Sequence, residues 1–174
     1  MFKSDNPDIL LWNECLNIFS KVNNSSLEDF LDKLISIVKK FDKEFRKIAD
    51  KNLLTFIKDI DSSMFVVGSS GDDFECIVKK YLRRNNVNKK EVWQIVSILI
   101  WELTTMTTKE VCPQCKSDHL RISTNTDRKK IYKSCETCFW IEANGKGTQR
   151  HKGLIPADRE LLCSEGLLGN QEEY

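Results

Sequence analysis

Four cysteines in two close pairs carry the most specific chemistry in this sequence: Cys112 and Cys115, then nineteen residues, then Cys135 and Cys138. A two-residue gap lets both thiolates of a pair reach one ion from a single turn, at about 2.3 Å, and two such knuckles facing each other complete a tetrahedron. The intervening length is enough for a β-hairpin, and the spacing lies in the range of four-cysteine zinc sites. Zinc is the expected ion, with iron as the alternative because a four-sulfur tetrahedron suits it too. Four thiolates close the coordination shell, so this metal is expected to stabilise structure and not to catalyse. His119 competes for a ligand position by residue type alone, and with the shell closed it is expected at the surface.

Other catalytic signals are weak. Gly145-Lys146-Gly147-Thr148 has the look of a phosphate loop, but Walker spacing needs a glycine at position 140, which is Trp140. The only two histidines, His119 and His151, have neither a helical metal-binding context nor a triad context. Cys163 sits in an apolar run that reads as packing. Cys15 and Cys76 read likewise as buried thiols. An odd cysteine count, two C-x-x-C pairs and no export signal at Met1-Phe2-Lys3-Ser4-Asp5 favour metal binding over disulfides and a reducing cytoplasm as the location. The chain is therefore read as a non-enzyme, and its catalytic residue set as empty.

The stretch from Cys112 to Trp140 resembles the zinc-ribbon superfamily: Cys112-Pro113-x-Cys115, Cys135-x-x-Cys138, and an aromatic, Trp140, two residues after the last cysteine. The resemblance spans about 30 residues and implies a three-stranded sheet closed by zinc. Within the superfamily it looks most like the ribbons of transcript-cleavage elongation factors, which carry an Asp-Glu pair at the hairpin tip to bind catalytic magnesium in polymerase. Here the tip reads Asn125-Thr126-Asp127-Arg128-Lys129-Lys130, one acid followed by three bases, so the cleavage role does not carry over.

Charge is uneven beneath a net +1. Residues 112–152 hold nine basic and four acidic side chains, and residues 153–174 hold one and five. Two partner classes follow. A nucleic acid could be gripped by Arg121, Arg128, Lys129, Lys130, Lys133, Lys146, Arg150 and Lys152, with Tyr132, Phe139 and Trp140 as stacking faces. The favoured class is a protein partner, most concretely a toxin: small bacterial proteins rich in Lys, Asn and Ile and lacking a catalytic constellation are often toxin-neutralising immunity proteins. The acidic tail and Asp72-Asp73-Glu75 are where such a contact would be sought.

These features must be positioned by a chain of 174 residues, 40% hydrophobic and 30% charged, with three prolines, a globular composition. No apolar run approaches the roughly 18–20 residues that cross a bilayer, so no membrane is expected. Pro7 and Asp8 open a helix through Leu16 and Phe19. Ser25 with Glu28 has capping-box spacing for a long helix whose apolar stripe runs from Leu27 to Ile48, opposite a lysine-rich face with Lys39, Lys43 and Lys47. Leu53 to Ile60 continue it or form a short separate helix. Further helices are expected from near Asp72 to Leu82 and, capped by Asn88 and Glu91, over an almost wholly apolar run at 92–103. Strands are expected at 119–124, 130–134 and 139–141, and a short helix at 156–163. The expected fold is mainly α: a helical body of four to five helices over 1–108, a three-stranded zinc ribbon over 109–145 and a tail over 146–174. A monomer is expected over a homodimer.

Overall fold

The computed structural model describes residues 7–68, 74–85, 87–143, 146–148 and 153–168. It divides into two compact units: Met1–Ser62 with Asp72–Leu103, and Ser63–Gly71 with Thr104–Tyr174.

The first unit is helical. α1 (Pro7–Phe19) and α2 (Leu27–Lys40) are joined through a 3₁₀ turn at Val22–Asn24. The cap of α2 is Ser26, which accepts from the Asp29 N–H, and not the expected Ser25, whose hydroxyl instead accepts from Lys33 Nζ at 3.0 Å. The expected long helix to Ile48 breaks at Phe41. The apolar spacing continues through the break, but a separate turn, α3 (Asp42–Phe45), redirects the chain. Phe45 is thereby fully buried, its ring 5.2 Å from Trp93. Asp42 holds that turn down: its two oxygens accept from Lys58 at 2.8 Å and from Arg46 at 2.5 Å. α4 (Lys51–Asp59) is a separate helix because Asp50 caps it, accepting from the N–H groups of Asn52 and Leu53.

Two further helices complete the unit, α5 (Phe74–Leu82) and α6 (Lys89–Thr104). At the start of α6 the capping box forms in full. Asn88 Oδ1 accepts from the Lys90 and Glu91 N–H groups, and Glu91 Oε2 accepts from the Asn88 N–H. α6 buries Val92, Val96, Leu99 and Leu103 completely, although Ile98 remains 44% exposed. Trp12, Phe19, Phe30 and Phe74 form a run of ring contacts at 5.9, 6.4 and 5.5 Å that ties α1, α2 and α5 together. Each such pair adds about 0.5–1.5 kcal/mol beyond the area it buries.

The second unit corrects the expected fold class. A mainly helical chain with a three-stranded ribbon near its end is overturned by an antiparallel sheet of six strands that begins at Thr107, so the architecture is α+β. The strands are β1 (Thr107–Val111), β2 (His119–Thr124), β3 (Ile131–Ser134), β4 (Ile141–Ala143), β5 (Lys146–Thr148) and β6 (Ile155–Pro156). β1 to β5 lie in chain order, and β6 pairs with β2 through Ser123↔Pro156 and Thr124↔Ile155. β1 escaped the sequence because Thr-Thr-Lys-Glu-Val has no buried face, and its end is exposed. β6 escaped because proline rarely enters a sheet except at an edge position that needs no N–H donor. The short final helix is present as α7 (Arg159–Ser164), capped by Asp158.

Leu120 and Ile122, two residues apart, share one face of β2. They serve two small cores: Leu120 packs with the cysteines and Trp140, and Ile122 with Ala157 and Leu162. Among the described residues no helix is long and apolar enough to cross a membrane.

Asp42 gives the helical unit a pH signature. Lys58 first, then Arg46, hold its carboxyl below the usual carboxylate range. A carboxylate depressed on folding contributes stability above its unfolded value of about 3.9, and that contribution is lost as pH falls through the folded value. Asp42→Asn should lower the urea midpoint at neutral pH, with the gap to the parent chain closing by about pH 2. A gap undiminished in acid would mean that packing, not charge, is what the substitution removes.

Candidate metal centre

Each cysteine pair sits on a tight knuckle. In the first, the Cys112 N–H donates to Asp118 O at 2.8 Å and the Lys116 N–H to Cys112 O at 3.0 Å. In the second, the Cys135 N–H donates to Trp140 O at 2.8 Å. Both knuckles turn through a left-handed residue just after their second cysteine, Lys116 at φ 56° and Phe139 at φ 59°. β2 and β3, paired from Arg121↔Ser134 to Thr124↔Ile131, bring the knuckles face to face.

The four sulfurs consequently lie within 4.8 Å of one another. Cys112 Sγ is 3.5 Å from Cys138 Sγ, and Cys115 Sγ is 3.5 Å from Cys135 Sγ. These separations rule out disulfides, whose sulfurs stand about 2.05 Å apart. They fit a tetrahedron: four sulfurs at about 2.3 Å from one ion are about 3.8 Å from each other. The group can therefore hold a metal ion, and Cys112, Cys115, Cys135 and Cys138 would be its ligands. Cys112 and Cys135 are buried, and His119 is exposed outside the cluster.

The thiols are unlike one another before a metal enters. The Ser117 hydroxyl, then its backbone N–H, hold Cys115 down to about 6. Burial pushes Cys135 up to about 12 and drives Cys138 upward. A bound cation would supply the positive charge that ionises such a set together, releasing protons as it binds.

Side chains inside the second C-x-x-C tie the knuckles to the sheet. Thr137 Oγ1 donates to Asp118 Oδ2 at 3.1 Å, crossing from one knuckle to the other. Glu136 Oε1 lies 3.4 Å from Nε of Arg121 on β2. Asp118 was not anticipated from sequence, since an acid between two unrelated positions carries no spacing signal. Trp140 packs against the cysteine cluster.

Three of the residues proposed to contact phosphate face carboxylates of the fold. Arg121 is only 5% exposed and faces Glu136. Lys133 Nζ donates to Glu110 at 2.5 Å, and Arg128 Nη1 to Asp158 Oδ2 at 2.8 Å. Lys129 and Lys130 are exposed. Of Lys146 the backbone alone is described, in β5, while Arg150 and Lys152 lie outside the described residues, as do Asp72, Asp73 and the acidic end beyond 168. Tyr132 is 5% exposed, whereas Phe139 is 60% exposed. The remaining cysteines differ from the expectation of three buried thiols. Cys15 is wholly buried, and burial followed by Glu14 pushes it up to about 12, but Cys76 is exposed and Cys163 half-buried.

The hairpin tip is thus anchored. The Arg128 N–H donates to Asn125 O at 2.9 Å, and Asn125 Oδ1 accepts from the N–H groups of Lys129 and Lys130. Asp158 serves both the Arg128 ion pair and the cap of α7, where it accepts from the Leu161 N–H at 2.9 Å. Asp158→Ala removes both and should cost about 1–3 kcal/mol in a denaturant titration, while Asp158→Asn, which can still cap, should recover part of that loss. Equal losses for the two variants would show that the cap contributes nothing. Compared with protein-family models, with curated proteins and with solved structures, the chain matches none of them.

Proposed function

We propose that this chain is a non-catalytic zinc protein whose metal-closed knuckles present an apolar anchor to a protein partner. Zinc is the ion the four thiolates would hold, in the manner of a zinc ribbon, as a closed structural site. Its apparent binding free energy in small modules is on the order of 10–16 kcal/mol, which suits an end of the sheet where the apolar packing around the sulfurs is Leu120 and Trp140.

The observation that carries the partner reading is Phe139. It follows Cys138 directly, stands at φ 59° and is 60% exposed as a residue. A left-handed conformation costs a side-chain-bearing residue about 1–2 kcal/mol, so the knuckle alone would favour glycine or asparagine there. Val111, next to Cys112 and 49% exposed, belongs to the facing knuckle, because the Cys112 and Cys138 sulfurs are 3.5 Å apart. An aromatic held rigidly on a cross-linked turn loses little entropy on binding, which is what an interface anchor requires.

The partner we propose most concretely is a cognate protein toxin that this chain neutralises, in keeping with its composition and its lack of a catalytic constellation. The nucleic-acid alternative is weakened by the carboxylates facing Arg121, Arg128 and Lys133. The test is capture from cells that carry the chain, using parent and Phe139 variants as bait, with and without nuclease. The parent should retain a protein that nuclease does not release and that is harmful when expressed without this chain. Phe139→Ala and Phe139→Gly should each weaken that complex by about 2 kcal/mol or more while leaving zinc content equal to the parent. Nuclease-sensitive capture, or full affinity in both variants, would contradict the reading.

A further inference from the structure

A second surface belongs to the helical unit. A groove of about 590 Å³ is lined by Lys43, Glu44, Arg46, Lys47 and Lys89. The broken helix creates it: the turn at α3 that buries Phe45 turns Lys43 and Lys47 outward, where both are exposed. Arg46 is engaged by Asp42, and Lys89 Nζ lies 3.6 Å from Asp8. Among the described residues neither Lys43 nor Lys47 has a carboxylate within 4 Å, although Glu44 lines the same groove.

We propose that this groove is a docking site for an acidic segment of a protein, with Lys43 and Lys47 as the cations that receive its carboxylates. Three features favour carboxylates on a protein over the phosphates of a nucleic acid. Glu44 places a negative charge among the lysines, which a partner of mixed charge can answer and a uniformly anionic polymer cannot. Arg46, the guanidinium that lines the groove among the described residues, is paired with Asp42, which reduces what it offers a phosphate. Among the described residues no aromatic lines the groove, so none there offers a base a stacking face. The proposal is independent of the Phe139 anchor, which lies in the other unit.

Fluorescence anisotropy with labelled oligoglutamate on the full chain tests it, at about 50 mM salt where such contacts are least screened. K43E/K47E should weaken binding about tenfold or more, the loss of roughly 1.4 kcal/mol. K43Q/K47Q should weaken it less, and both variants should melt like the parent, since the two side chains are exposed. K129E/K130E and Phe139→Ala should leave the affinity unchanged. The proposal is overturned if oligoglutamate fails to bind, if K43E/K47E binds it as the parent does, or if duplex DNA of equal charge binds more tightly through the same lysines.

Discussion

Everything distinctive about the second unit depends on four sulfurs being held within 4.8 Å. Thiols at that density, two of them buried, are an awkward arrangement without a cation. Cys115 is pulled toward ionisation by Ser117, while Cys135 is pushed away from it by burial. A divalent ion would resolve the conflict by ionising all of them and binding them at once. The sheet then needs little hydrophobic core at that end, and what it has is modest: Leu120 from β2 and Trp140 from the second knuckle. The other end of the same strand is held differently, by Ile122 packed with Ala157 and Leu162.

This division of labour explains how charged residues are used. Glu136 and Thr137, the two residues inside the second cysteine pair, both reach back, to Arg121 and to Asp118. Asp158 joins the far tip of the hairpin to α7. Three bases of this unit, Arg121, Arg128 and Lys133, thus serve as struts to carboxylates of the fold. At the cysteine end two large apolar side chains, Val111 and Phe139, are exposed alongside polar ones such as Gln114 and Lys116. In the helical unit Asp42 has the comparable role, pairing with Arg46 and Lys58, while Lys43 and Lys47 are exposed in the groove.

What could be read from the residues in order followed how local each determinant is. The cysteine spacing was legible because two residues separate ligands on one turn, and the cap at Asn88 and Glu91 was legible because both partners lie within four residues. The cap at Ser26 was missed by one position, since adjacent serines offer the same chemistry and only the backbone decides which accepts from Asp29. The break at Phe41 left no mark in the apolar stripe, which keeps its three-and-four spacing through a turn fixed by Lys58, sixteen residues from Asp42. β1 and β6 depend on pairing with β2 and have weak patterns of their own. The fold class was misjudged for that reason. Contacts such as Arg159 to the Phe65 carbonyl, ninety-four residues away, cannot be seen in any window of sequence.

The most direct test of the metal-closed sheet is amide hydrogen exchange on the full chain, before and after complete removal of metal. Exchange reports the stability of each segment separately, so the two units can be compared within one molecule. Protection should be lost across β1 to β4 on metal removal, return with stoichiometric zinc, and persist throughout in α2 and α6. Unchanged protection of residues 107–143 in the metal-free protein would contradict the account.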